Sequence, residues 1–239
     1  MAIPLLLLPG LLCDARLWRD VLPPLAGLAE PRVADLTRAD SLSGMAADAL
    51  ALMEDAPHFA VAGLSMGGYV ALEIMRRAPA RVSHLALLDT SARADTPEQT
   101  ERRRGLLALS RQGQFRGVTP RLLPLLIHPG RQGTPLAKDV MAMAERVGPE
   151  AFLRQQTAIM HRLDARALLP GIRVPTLIAC GAEDALTPPE LHDEMAHLIP
   201  GARLVRFAGA GHLPTMEVPE AAGAALREWL TGLSPARSA

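Results

Sequence analysis

The strongest constraint on how this chain folds is a rhythm in which short apolar runs of strand length alternate with longer amphipathic stretches of helix length. Parallel strands need a long crossover and a helix supplies it, so the alternation specifies an α/β architecture with a mostly parallel sheet. Six runs read as strands: Ile3–Leu8, Arg32–Leu36, Phe59–Leu64, Val82–Leu88, Thr176–Cys180 and Arg203–Phe207. Helices are expected on both faces, at Ala15–Ala26, Ser43–Asp55, Met66–Arg77, Pro189–Leu198 and Pro219–Leu230. A chain of 239 residues buries a core large enough to need no covalent staples.

The rhythm breaks between Ser91 and Arg166, where no strand run occurs and "ERRRGLLALSRQG", "VTPRLLPLLIH", "PLAKDVMAMAERVG" and "PEAFLRQQTAIMHRL" read as four helices. A block this long and this well patterned is neither a simple connection nor a disordered loop. The expected organisation is a core domain of residues 1–90 and 167–239, with residues 91–166 inserted as a helical cap. Charge divides along the same line. Arg93 to Arg166 carries thirteen Lys and Arg against seven Asp and Glu, in a chain whose formal net charge is zero. A basic cap over a more acidic core steers anions inward, although a charged helix face is ordinarily just solvated.

Zero net charge argues against wholesale nucleic-acid binding, and no Cys/His spacing suggests a zinc site. The N-terminal "MAIPLLLLPG" has no basic stretch ahead of its apolar run, so it reads as a buried strand rather than a signal peptide. No run of about 20 apolar residues offers a membrane span. Cys13 and Cys180 lie far apart among apolar neighbours, which suits a reducing compartment. The expectation is a cytoplasmic protein, monomeric or homodimeric, whose partner is a small molecule rather than a nucleic acid or a membrane.

One stretch carries chemistry. In "VAGLSMGGYV", Gly63-Leu64-Ser65-Met66-Gly67 is a G-x-S-x-G pattern between a strand run and a helix run. The small residues permit a strained turn that pushes the Ser65 hydroxyl into the open as a nucleophile. A serine needs a base, and the base an orienting acid, each following a later strand. His212, in "RFAGAGHLPTMEVPE", follows the last strand among glycines and a proline that leave its ring room to turn. Asp184, in "GAEDALTPPE", follows the fifth strand by a glycine-bearing turn, with Glu183 and Asp89 as competing acids. Oxyanion donors are expected from the backbone N–H of Met66 and, after the first strand, of Leu11.

"GLSMGG", "GAEDALTPPE" and "GAGHLPTMEVPE" in this order resemble the α/β-hydrolase superfamily, within which the chain is similar to small carboxylesterases and 3-oxoadipate enol-lactonase-like enzymes. Pro9-Gly10 departs from the His-Gly common at that family's oxyanion loop, and no counterpart of the family's leading hairpin is expected ahead of the first strand. The resemblance implies an α/β-hydrolase fold with a six-stranded sheet in order 2-1-3-4-5-6. It also implies a serine hydrolase that opens a carboxylic ester or lactone through an acyl-enzyme and needs neither metal nor organic cofactor. Carbon–carbon bond hydrolysis of a vinylogous diketone, cofactor-free perhydrolysis and a non-catalytic receptor are the alternatives.

Overall fold

Strand β1 (Ile3–Leu8) reads IPLLLL, a continuous apolar run of the kind a strand needs when both faces of its sheet are covered. The computed structural model describes residues 2–232 and places β1 inside a six-stranded sheet. The other strands are β2 (Ala29–Val33), β3 (Phe59–Leu64), β4 (Val82–Leu88), β5 (Thr176–Gly181) and β6 (Arg203–Phe207). Their spatial order is β2-β1-β3-β4-β5-β6 with every pairing parallel. The order reverses beside β1, so the loops after β1 and β3 leave the carboxyl edge in diverging directions and open a crevice there.

Alternation along β1 sorts the core into two layers. Leu5 and Leu7 pack with Trp18, Val21 and Leu25 and with α7 (Pro219–Thr231) on one face. Leu6 and Leu8 pack on the other face with α1 (Leu42–Ala51), α2 (Met66–Arg77) and α6 (Pro189–Leu198). Each fully buried leucine contributes roughly 1.5–3 kcal/mol by leaving water.

Two expected elements are corrected. Residues Ala15–Ala26 do not form an α-helix but three 3₁₀ turns, Ala15–Leu17, Arg19–Val21 and Pro23–Leu25. Pro23 and Pro24 deny an α-helix the N–H donors it needs, while short 3₁₀ turns still bury Leu17, Val21 and Leu25. The second strand lies at Ala29–Val33 rather than Arg32–Leu36, because an edge strand with one flank in solvent accommodates Glu30 and Pro31.

Between β4 and β5 the chain runs through helices alone: α3 (Pro97–Arg111), the single turn α4 (Leu123–Leu126) and α5 (Pro135–Met160). Thr96 and Gln99 close a capping box on α3. The last two expected helices form one run broken at Gly148, whose φ of +78° turns the chain before Pro149 restarts it. The insertion returns to its point of departure, where Ala165 N–H donates to Ala92 O at 2.7 Å. Asp95, almost wholly buried there, accepts from Arg103 at 2.8 Å and Arg162 at 2.5 Å. Arg103 therefore belongs to this neck and not to a solvated basic face.

Candidate active site

The turn after β3 is built by close approach. A Cβ on Gly63 would lie 2.2 Å from Gly67 O, and one on Gly67 would lie 1.9 Å from Leu8 O. Only glycine lets these backbones meet, and their meeting forces Ser65 to φ +55° and ψ −116°. A non-glycine residue at positive φ carries strain of order 1–3 kcal/mol, sustained when its surroundings over-determine it. Here Ser65 N–H donates to Leu88 O at 2.9 Å, and Ser65 O accepts from Gly68 N–H at 2.9 Å and from the Thr90 hydroxyl at 2.8 Å. The partly exposed hydroxyl stands at the start of α2.

β6 ends at Phe207, and Gly209 at φ +70° swings the chain back so that His212 faces this hydroxyl. His212 Nε2 lies 2.9 Å from Ser65 Oγ, and its Nδ1 lies 2.8 Å from Asp184 Oδ2. Asp184 also accepts from Leu186 N–H at 2.8 Å, Thr187 N–H at 3.0 Å and the Thr187 hydroxyl at 2.6 Å. Burial opposes ionisation of Asp184, but the His212 charge, its hydrogen bond and the Thr187 donors outweigh burial and hold the carboxyl well below the usual carboxylate range.

Of the other acids weighed, Glu183 turns to Ala210 N–H at 3.2 Å and takes no part in this line. Asp89, completely buried at φ +44°, accepts from Gly181 N–H at 2.9 Å, while its Oδ2 has no partner among the described residues. Burial, reinforced by the Asp184 charge, pushes the Asp89 carboxyl well up. Ligand atoms of Asp89, Asp184 and His212 fall within 4.8 Å of one another. The oxygens of Asp184 are already taken by four N–H and O–H donors, so the trio reads as a hydrogen-bonded cluster rather than a metal site.

The residues expected to supply oxyanion donors sit on the two segments that meet at Ser65. Met66 N–H, in the first turn of α2, has no intrahelical acceptor. Leu11 follows Gly10, where a Cβ would lie 3.3 Å from Ser65 Cβ. Leu11 N–H makes no backbone or side-chain hydrogen bond among the described residues. Both N–H groups are thus free to receive negative charge.

Three supporting residues escape a reading of the sequence. Buried Glu217 accepts from His128, Gly211 and Leu213 N–H groups and so clamps the loop that carries His212; burial pushes its carboxyl up despite those donors. His192 of α6 is completely buried and accepts from Thr90 N–H at 2.9 Å beside the Ser65 turn. Gln155 of α5 accepts from Leu12 N–H at 3.0 Å. The glutamate alone left a trace, as a carboxylate inside the apolar "HLPTMEVP".

A family profile for the alpha/beta hydrolase fold matches residues 38–219. The chain belongs to the α/β hydrolases. This α/β hydrolase is 32% identical over 193 residues to a pimeloyl-[acyl-carrier protein] methyl ester esterase of Neisseria meningitidis, spanning 79% of this chain and 75% of that one. A thermophilic esterase from Thermogutta terrifontis superposes with a TM-score of 0.88 at 30% identity, covering 98% of this chain and 91% of the other. The enol-lactonase of Burkholderia xenovorans LB400 shares the fold, with a TM-score of 0.85 at 24% identity over 97% and 92% of the two chains. The α/β hydrolase described here is an enzyme that acts on ester bonds. No helix among its described residues is long and apolar enough to cross a membrane.

Proposed function

We propose that the enzyme cleaves small carboxylic esters or lactones through an acyl-enzyme, with Ser65 as nucleophile, His212 as base and Asp184 as the acid that orients it. The observation that carries this reading is the unbroken line from Ser65 Oγ to His212 Nε2 at 2.9 Å and from His212 Nδ1 to Asp184 Oδ2 at 2.8 Å. As Ser65 Oγ bonds to the carbonyl carbon, its proton passes to His212 Nε2. The carbonyl oxygen gains negative charge and is met by the N–H groups of Met66 and Leu11, aided by the dipole of α2. Collapse expels the alcohol, which takes the proton from His212. Water then repeats the sequence on the acyl-enzyme, His212 removing its proton, and the carboxylic acid leaves. Asp184 remains ionised throughout and stabilises the imidazolium.

Residues 91–166 act in this reading as a cap over the serine. Two contacts support the role: Leu126 O accepts from His212 N–H at 3.0 Å, and Gln155 meets the loop after β1. The cap thus touches both the histidine side and the oxyanion side of the site. The relatives named as esterases, one of them a methyl ester esterase, favour esters over lactones.

The test is Ser65→Ala, which removes the oxygen and disturbs little else. It is expected to abolish fluorophosphonate labelling and to reduce p-nitrophenyl acetate turnover by several orders of magnitude, with an unchanged melting temperature. Turnover near wild type would falsify the nucleophile assignment. A panel of methyl esters and lactones of matched acyl length then ranks the two substrate classes.

A further inference from the structure

The loop after β1 closes as a tight turn, with Cys13 N–H donating to Gly10 O at 3.1 Å. Its third residue, Leu12, stands at φ +59°. Turns with positive φ at that position favour glycine or asparagine, so a leucine adopts the conformation only when something else holds it. The holder lies 143 residues away in the insertion: Gln155 Oε1 accepts from Leu12 N–H at 3.0 Å. Gln155 Nε2 donates to Leu36 O at 3.2 Å in the loop after β2, and the adjacent Arg154 donates to Thr37 O at 2.7 Å. Gln155 is completely buried, whereas packing alone at this position would be served by an apolar residue at less desolvation cost. Ala144 and Phe152, also on α5, pack on the Leu12 side chain.

We propose that Gln155 is a positioning residue for the oxyanion hole: from the cap it locks the turn Gly10–Cys13 in the conformation that presents Leu11 N–H to the serine. Catalytic competence is then tied to correct seating of the cap, because the donor sits on the core while its lock sits on the insertion. The inference rests on the reading of Ser65 as nucleophile and Leu11 as an oxyanion donor.

Gln155→Met keeps the volume and removes the acceptor. It is expected to lower kcat by about 10- to 100-fold, less than outright loss of an oxyanion donor and in the range of a small misplacement, with KM within about twofold. Affinity for a boronic acid, whose adduct with Ser65 is tetrahedral, should fall by the same factor, while affinity for the product carboxylic acid should not change. Gln155→Glu retains the acceptor toward Leu12 and, protonated in its buried site, the donor toward Leu36, and is expected to recover most of kcat. Should the methionine variant fail to fold, Gln155→Asn, which draws the amide back by one methylene, takes its place with the same expectations. A folded variant with kcat and boronic acid affinity within twofold of wild type overturns the proposal, as does a loss confined to KM. Ser65→Ala run alongside separates the two readings. If that protein is inactive and Gln155→Met is unimpaired, only the role of Gln155 falls; if Ser65→Ala stays active, both fall.

Discussion

Replacing Asp184 with asparagine tests the line of three residues most sharply, because the structure dictates what the amide must do. Asparagine Oδ1 can still accept the N–H groups of Leu186 and Thr187, at 2.8 and 3.0 Å in the wild type. Its Nδ2 replaces the oxygen 2.8 Å from His212 Nδ1 and 2.6 Å from the Thr187 hydroxyl. The hydroxyl rotates to accept rather than donate, so the fold tolerates the change. The imidazole cannot answer so cheaply: facing an N–H donor, Nδ1 must become an acceptor and the ring proton moves to Nε2. Nε2 then has no lone pair for the Ser65 proton. The expected fall in kcat is about 10⁴-fold, or about 5.5 kcal/mol of transition-state stabilisation at 1.36 kcal/mol per decade. Steady-state hydrolysis of p-nitrophenyl acetate measures it, with near-ultraviolet circular dichroism and a melting curve to show that the protein is folded. Asp89→Asn is the control, expected to cost less than about tenfold because Asp89 bonds Gly181 rather than His212. The reasoning is refuted if folded Asp184→Asn keeps more than a few per cent of kcat, or if Asp89→Asn is the more damaging of the two.

Asp89 and His192 yield two predictions about stability. Burial and the Asp184 charge raise the Asp89 carboxyl in the folded chain, so between its unfolded and folded values the native state binds more protons and loses stability as pH rises. Asp89→Asn removes that loss; its melting temperature should exceed wild type at pH 8 and converge on it near pH 4, and a lower value at pH 8 would contradict the assignment. His192 behaves in the opposite sense: burial lowers it from 6.5 to about 4, so the unfolded chain takes up the proton first and stability falls as pH drops from about 6.5 toward 4. Urea unfolding of wild type and His192→Gln across that window should show a shallower slope for the variant, and equal slopes would exclude the histidine as the source.

The parts of this molecule legible in its sequence are those written locally. β1, β3 and β4 occupy the expected residues, and β5 differs by its last residue, because strands covered on both faces are predominantly apolar; Ser83 and His84 interrupt β4 only near its start, where burial is incomplete. β2 was hidden by Glu30 and Pro31, which an edge position tolerates and a central one would not. Likewise the glycines around Ser65, Asp184 and His212 mark turns within a few residues of the side chains they aim. Gln155, Glu217 and His192 left no comparable mark because each acts by holding the backbone of a distant segment: 143 residues away for Gln155, 102 for His192 and 89 for the Glu217 bond to His128. A buried glutamine in "RQQTAI" looks like any polar residue of an amphipathic helix until the fold brings Leu12 to it.

The neck at Ala92 and Ala165 bears on how such an enzyme changes over time. Since the insertion departs and returns at one point, its length enters the stability of the core chiefly as the entropy of closing a loop between β4 and β5. That entropy grows only logarithmically, so doubling the insertion costs the sheet about 0.6 kcal/mol. Closure entropy therefore does little to oppose an exchange of the helices between the two alanines; the cost lies in the core contacts the present helices make, among them Leu123, Ile127, Val140 and Met143 in the cluster around Leu5 and Leu7. Any transplanted segment must still bring its own acceptors for Leu12 and His212 N–H and its own donor for Glu217, and those requirements are where grafted insertions will succeed or fail.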